Sequence, residues 1–396
     1  MLEVRRRVVV IGVGMSKFGR WPEDVGVTKK MGEEACLKAI EDAGISPKQI
    51  EAAYVGNMGI MAPHVQGPLV GNLILERVGR GGIPVTRIEG GCASSALAFR
   101  EAYMAISAGF YDVAIVLGVE KMLVGDAQTR LKSMIMGSDL ELEGVMGITF
   151  PGVFGMMATR RMAKVGTTRE QMALVAVKNH GNALYNPYAH LPMKLTVEEV
   201  LNSRPIAYPL TLYECCPMSD GAAAVILASE DVAKKVTDTP IYVLASAQTS
   251  GSLEPDFDYI VLKSSLIAAK KAYEIAGVEP KDVDFAEVHD CFSIAEIAHY
   301  EELGFCGIGE GGKLIEEGET EIGGRIPVNP SGGLLGRGHP VGATGAAQVC
   351  EVVWQLRGEA GKRQVAGAEI GLTHTMGNFS MGDAGHCVVQ IFKRGD

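Results

Sequence analysis

The chain contains one stretch of structure twice. "KAIEDAGISPKQIEAAYVG" begins at Lys38 and "KAYEIAGVEPKDVDFAEVHD" at Lys271. Each reads as an amphipathic helix ended by Ala-Gly, a Pro-Lys turn and a short strand. Each also follows an apolar strand, "RVVVIGVG" in one half and "PIYVLASA" in the other. A supersecondary unit that recurs in this way predicts two similarly built halves packed together. At 396 residues the chain is long enough for both and for a sizeable shared core. Its 50 glycines suit an α/β protein with many tight strand-to-helix turns.

The second part of each half matches in type. "GGCASSALAFREAYMAISAGFYDVAIVLGVE" gives a turn, a helix of small residues ending at Gly109, and the strand "VAIVLGV". "GHPVGATGAAQVCEVVWQLRG" gives the corresponding turn and helix, and "AEIGLTHT" the strand that follows. Small residues let helices approach closely, which places these two in the centre. Between the halves lies a different stretch, about 124–206, rich in Met, Phe and Gly ("GVMGITFPGVFGMMATRRM") and slightly basic. Its apolar residues read first as ordinary core, and second as a wall enclosing a bulky group. "SDGAAAVILAS" from Ser219 returns to strand character and rejoins the first half.

Composition removes several classes of function. With 47% hydrophobic and 21% charged residues the chain is globular. A net charge of −10 argues against a general nucleic-acid surface, which needs a basic stripe. The basic start before "VVVIGVG" mimics a signal peptide, but the apolar run is short and no cleavage site follows. Nothing elsewhere is long and apolar enough to cross a bilayer. Gly12, Gly14 and Gly19 loosely resemble a dinucleotide fingerprint, but the third is mis-spaced and "RWPED" stands where a helix should run. A buried first strand is the better reading. The eight cysteines are scattered without a CxxC pair, so neither a zinc ribbon nor a disulfide framework is expected. Reduced thiols in a cytoplasmic protein are.

Three short stretches carry the chemistry. Cys92 in "EGGCASSALAF" follows two glycines and opens a helix, where free amides stabilise a thiolate or an oxyanion. A buried cysteine at a tight turn is the alternative. His339 in "GGLLGRGHPVGATG" occupies the equivalent turn of the second half. Pseudo-symmetric packing would make the two turns face one another and let His339 act as base towards Cys92. A thiol of ordinary pKa, about 8.5, is only a few per cent ionised at neutral pH and needs such a base. In "EVHDCF", alternation sends His289 and Cys291 to one side and Asp290 to the other.

These stretches, in this order, resemble the motifs of the thiolase superfamily over essentially the whole chain. The resemblance is to the sterol-carrier-protein-type and archaeal acetyl-CoA acetyltransferase branch, including the bacterial benzoylsuccinyl-CoA thiolase kind. His289-Asp290-Cys291-Phe292 stands where many other thiolases have Asn-Glu-Ala-Phe. It implies an α/β thiolase fold: two duplicated βαβαβαββ halves in a five-layered α-β-α-β-α core, with an inserted loop domain. The expected division is 1–123 with 207–236 as the first half, 124–206 as the loop domain that holds CoA and the acyl group, and 237–396 as the second half. The implied activity forms or cleaves a 3-oxoacyl-CoA through an acyl-Cys92 intermediate. Coenzyme A thioesters are the substrates, with no permanently bound cofactor and no metal.

By the same resemblance, Cys92 is the nucleophile and His339 its base. His289 and His339 hold the thioester oxygen of the enolate, and the amides of Cys92 and Gly377 form the second oxyanion hole. Many thiolases carry a proton-shuttling cysteine in a C-terminal Cys-x-Gly. Here Thr375-Met376-Gly377 lacks a thiol, which passes the role to Cys291, with Cys387 as competitor. A tight homodimer is implied, through the first half's sheet, with "VAIVLGV" as its expected edge. A small zinc-ribbon and OB-fold companion protein is implied as well. Two rival readings stand: a ketoacyl- or hydroxymethylglutaryl-CoA synthase-type condensing enzyme, and a non-catalytic thiolase-like scaffold.

Overall fold

The computed structural model describes residues 6–59, 66–251, 258–380 and 382–395. The basic start as far as Arg5 lies outside them. The apolar run after it is strand β1 (Val8–Met15), buried at every position. Its glycines serve packing. A Cβ on Gly12 would stand 2.3 Å from the Ala39 carbonyl oxygen, and one on Gly14 2.4 Å from that of Ala35. The helix Val27–Asp42 therefore lies directly on the strand, and no phosphate loop forms there.

The first half continues with β2 (Ala52–Gly56), β3 (Val85–Ile88) and β4 (Val113–Glu120). After a small hairpin of β5 (Pro205–Ala207) and β6 (Leu210–Thr211), β7 (Gly221–Ser229) rejoins the sheet between β4 and β1. The second half supplies β8 (Ile241–Thr249), β9 (Phe285–Glu287), β10 (Ile370–Ser380) and β11 (Asp383–Arg394). The strands run β3-β2-β4-β7-β1-β8-β11-β10-β9. Among the described residues, the halves meet edge to edge only where Val9 and Val10 pair with Tyr242 and Ile241. The duplication is unequal. The second half's counterpart of β3 shrinks to a single bridge, Ala286 to Val328.

The expected dimer edge is not where the sequence placed it. "VAIVLGV" is β4, flanked by β2 and β7 in the interior of the sheet. Its unbroken apolar run reflects burial on both faces. The edge on the first half's side is β3, "VTRI", short and carrying a charge, as exposed edges generally do.

Three cores separate the layers. The helices Ser94–Ser107 and Thr344–Arg357 lie between the two half-sheets, where Phe99, Ala102, Val349 and Val353 meet Val10, Val225, Val243 and Phe392. Each large aliphatic or aromatic side chain so buried contributes about 1.5–3 kcal/mol relative to exposure. Outside the first sheet, Ala35 and Ala39 pack on Ile11, Ile115 and Ile226. Outside the second, Ala268 and Ala272 of the helix Lys263–Ala276 meet Ala245 and Ile391. The order is helix, sheet, helices, sheet, helix. The central helices touch at their N-termini, where the Ala346 amide donates to Ser95 Oγ at 3.0 Å. That contact brings the turns of Cys92 and His339 together.

The stretch 124–206 is mainly helical, with Phe150–Val165 and Arg169–Ala183 its longest helices. Val153, Phe154, Met157 and Met172 pack on Ile294, Ala295 and Leu334 of the second half. Buried ion pairs join the same partners, Lys178 to Glu296 at 2.6 Å and Arg161 to Glu301. Removing one member of such a pair strands a buried charge, at about 3–5 kcal/mol. Among the described residues, no helix is long and apolar enough to cross a membrane.

Candidate active site

Cys92 sits in a one-turn helix, Gly91–Ala93, that runs straight into Ser94–Ser107. The turn is held from within: the Gly90 amide donates to Ser94 Oγ at 3.0 Å, and that hydroxyl donates to the Gly91 carbonyl at 2.6 Å. Gly91 has φ +58°, a left-handed conformation that glycine adopts without strain. Strand β10 presses against the same turn. A Cβ on Gly377 would fall 2.0 Å from the Gly90 carbonyl oxygen and 2.9 Å from the Cys92 amide nitrogen. The two amide-bearing segments expected to form an oxyanion hole are therefore in contact, and any side chain at 377 would drive them apart.

His339 Nε2 lies 3.2 Å from Cys92 Sγ. Its other nitrogen fixes the tautomer. The Thr344 hydroxyl donates its single proton to the Pro340 carbonyl at 3.1 Å, so towards His339 Nδ1, 2.7 Å away, it can only accept. Nδ1 therefore carries the proton, and Nε2 presents a lone pair to the thiol. The His339 amide donates to Ser219 Oγ at 3.0 Å, tying this loop to the segment before β7. Burial, then the Arg337 guanidinium, push the imidazole down to about 3. Burial, then Glu120, push the Cys92 thiol up to about 12. The resting pair is neutral thiol and neutral imidazole. Proton transfer must accompany attack by sulfur.

His289 stands edge-on to His339 with ring centres 5.2 Å apart. Burial, then His339, hold it well below the ordinary imidazole range. Cys92, His289 and His339 each offer one donor atom, all within 4.8 Å of one another. A soft metal ion seated there would occupy the very lone pairs that acyl chemistry needs. A second trio of the same spacing, His299, Glu302 and His374, is fully buried.

The alternation expected in "EVHDCF" is present, although β9 has already ended at Glu287. His289 and Cys291 both line the pocket, whereas Asp290 turns away. Asp290 accepts from the Leu334 and Leu335 amides at 2.6 and 3.2 Å and from Asn179 Nδ2 at 2.7 Å. It thus fixes the loop that leads to His339. Burial, then Cys92 and Asp290, hold the Cys291 thiol well above its usual range, so it rests protonated. Cys387 does not line the pocket. Its sulfur lies 3.4 Å from His374 Nε2 and 3.6 Å from Ser265 Oγ in closed core.

The pocket holds about 80 Å³. Its remaining walls include Met134, Phe150, Phe154, Phe292, Met376 and Phe379. Phe154 stacks on Phe292 at 4.7 Å. The Met- and Phe-rich stretch is therefore both core and pocket wall. Four residues here carry no local signal in the sequence: Thr344 and Ser219, which hold His339, and Asn378 and Cys216, which line the pocket.

A family model described as "Thiolase, N-terminal domain" matches residues 8–231, and one described as "Thiolase C-terminal domain-like" matches 245–390. The chain belongs to the thiolase family. An acetyl-CoA acetyltransferase of Methanothermobacter thermautotrophicus is 51% identical over 392 residues, covering 98% of this chain and 100% of that one. The benzoylsuccinyl-CoA thiolase subunit BbsB of Thauera aromatica is 36% identical, covering 95% of this chain and 96% of its own. Among solved structures, an Ltp2-ChsH2(DUF35) aldolase superposes with TM-score 0.83 at 24% identity, covering 98% of both chains. Human mitochondrial 3-ketoacyl-CoA thiolase superposes with TM-score 0.74 at 18% identity, covering 99% of this chain and 100% of its own. These two show the shared fold. This thiolase is thus an acyltransferase that works on coenzyme A thioesters.

Proposed function

We propose that this thiolase cleaves and forms short 3-oxoacyl-CoA esters through an acyl-Cys92 intermediate, and that Cys92, His339, His289 and Cys291 carry the steps. The observation behind the reading is the 3.2 Å contact of Cys92 Sγ with a His339 Nε2 whose lone pair is set by Thr344. In the cleavage direction, Cys92 sulfur attacks the 3-oxo carbon and its proton passes to His339 Nε2. The bond between C2 and C3 breaks. His289 and His339 receive the resulting enolate oxygen, and the Cys291 thiol gives its proton to C2, releasing the shortened acyl-CoA. Free CoA thiol then attacks acyl-Cys92, its proton restoring Cys291. The displaced Cys92 sulfur recovers its proton from His339. The amides of Cys92 and Gly377 hold the oxyanion at the Cys92-bound carbon, and each such donor is worth about 3 kcal/mol in a transition state. Condensation is the same path reversed.

The small aromatic pocket, and the 51% identity to an acetyl-CoA acetyltransferase, favour acetyl and acetoacetyl groups. Incubation with acetyl-CoA should add an acetyl mass to the peptide containing Cys92. The same mass mapped only to the peptide of Cys215 and Cys216 would sink the assignment.

The reading extends to assembly. The 124–206 stretch acts as the loop domain between halves 1–123 with 207–236 and 237–396. No resident cofactor is required, and eight free thiols suit a reducing compartment such as the cytoplasm. Strand β3 has a hydrogen-bonded neighbour on one side only, and a second copy pairing there would make a homodimer. The Thr86 amide faces β2, whereas the Val85 amide faces away from it, so Val85→Pro removes a donor on the free side and should shift the mass in light scattering towards monomer. An unchanged dimer would place the interface elsewhere.

A companion protein of zinc-ribbon and OB-fold type has a candidate seat on the loop stretch. Met136, Leu140, Leu142, Val145 and Met146 are all exposed there. Co-expression with such a companion should raise turnover and tighten CoA binding. Full turnover by the isolated chain, with no change on adding it, would remove the idea.

A further inference from the structure

Cys216 belongs to none of the steps above, yet it lines the catalytic pocket beside Cys291. The backbone explains how it arrives there. Cys215 and Phe292 form an antiparallel bridge, and the Cys216 amide donates to the Cys291 carbonyl at 3.0 Å. That register sets Cys216 directly across from Cys291. Residues opposed in this way have Cα atoms about 5.5 Å apart. A disulfide spans Cα separations of about 4.4–6.8 Å. Both side chains face the same cavity, so neither must rotate through the backbone to meet the other. Cys215 is no competitor, because its thiol donates to the Thr211 carbonyl at 3.3 Å. Cys216 is half-buried and Cys291 8% exposed, so a small reagent entering the pocket meets Cys216 first.

We propose that Cys216 and Cys291 are a reversible oxidation site, closing to a disulfide by exchange with a small-molecule disulfide. Deprotonated Cys216 sulfur attacks one sulfur of the reagent and expels the other half as a thiolate. Deprotonated Cys291 sulfur then attacks Cys216 sulfur and expels the second half. Two electrons pass to the reagent, and the two protons lost by the protein thiols end on the two released thiols. Burial holds both thiols well above their usual range, so the exchange should quicken as pH rises, with the imidazoles of His289 and His339 in the same pocket to relay the protons. Cys92 stays free. The functional consequence rests on the role proposed for Cys291: the oxidised protein accepts an acyl group at Cys92 but lacks the thiol that serves C2.

The test uses the full chain and oxidised glutathione. After incubation, a non-reducing peptide map should show the peptides of Cys216 and Cys291 joined. Oxidised protein given acetyl-CoA should still gain an acetyl mass on Cys92, while turnover falls about a hundredfold or more, the scale of losing an acid–base group. Dithiothreitol should restore it. Cys216→Ser and, as a second variant, Cys216→Ala should each keep their own reduced rate in the presence of oxidised glutathione. A link that includes Cys92, a stable glutathione adduct without the joined pair, or no link at all overturns the site. The joined pair with undiminished turnover would keep the site and overturn Cys291 as proton carrier.

Discussion

Cys291→Ala should still form the acyl-enzyme at Cys92, yet lose turnover and α-proton exchange by about a hundredfold or more. Acylation needs a nucleophile, its base and an oxyanion site; Cys291 supplies only the proton for the departing CoA sulfur, which can leave as a thiolate and take its proton from water. Carbon–carbon chemistry also needs a proton placed on or taken from C2. A positioned acid or base contributes about 10²–10⁴-fold to such a step. The resting protonation of Cys291 suits the donor role in cleavage, because burial keeps its thiol neutral until the enolate forms. The readouts are intact mass for acylation and deuterium exchange at the α-carbon for the second step. Cys387→Ala is the control, since that thiol is enclosed by His374 and Ser265 away from the pocket. A reversed pattern between the two variants would move the proton carrier to the C-terminal strand pair.

His339→Ala should slow acylation itself, by about a thousandfold, and turnover at least as much. The substitution removes the lone pair that receives the Cys92 proton and one of two donors to the enolate oxygen, and such effects are each of order 10²–10³ or more. The native rate should also have an unusual pH profile. With His339 held near 3, the base stays unprotonated from pH 8 down to pH 5 and acylation should be flat there. An ordinary imidazole would lose its lone pair below about 6.5. Stability moves the other way. Below about 6.5 the unfolded chain binds a proton at this position and the folded chain does not, so stability drops as pH falls from 6.5 towards 3. His339→Ala should flatten that part of the denaturation curve. A native profile with a break at 6.5 in acylation would show that the imidazole is not held in this way.

Much of this was legible because the informative signals were local. The helix, Ala-Gly stop and Pro-Lys turn at Lys38 and Lys271 specified two like units, and two like units specified turns that face one another. The sides taken by His289 and Cys291 are those that alternation predicts, although past β9 the chain turns, the Asp290 amide donating to the Val288 carbonyl at 3.0 Å. What stayed hidden depends on non-local pairing. Cys216 reaches the pocket through a single bridge to a segment far along the chain, and no periodicity around it announces that. Thr344 looks like any small residue at a helix start until its donation to Pro340 decides the His339 tautomer. The edge was misplaced for a related reason. An apolar run such as "VAIVLGV" reports burial on both faces and therefore the sheet interior, whereas the edge strand of the first half is brief and carries an arginine.

The helices of 124–206 precede β7 in the chain but bury Val153, Phe154, Met157 and Met172 against residues that come much later, Ile294, Ala295 and Leu334. During synthesis those side chains leave the ribosome well before anything exists to cover them. The first sheet is in the same position, because β7 must be translated after this uncovered segment to complete it. A nascent chain halted before Ser293 would therefore expose a methionine- and phenylalanine-rich surface, the kind that chaperones hold and that aggregates when they do not.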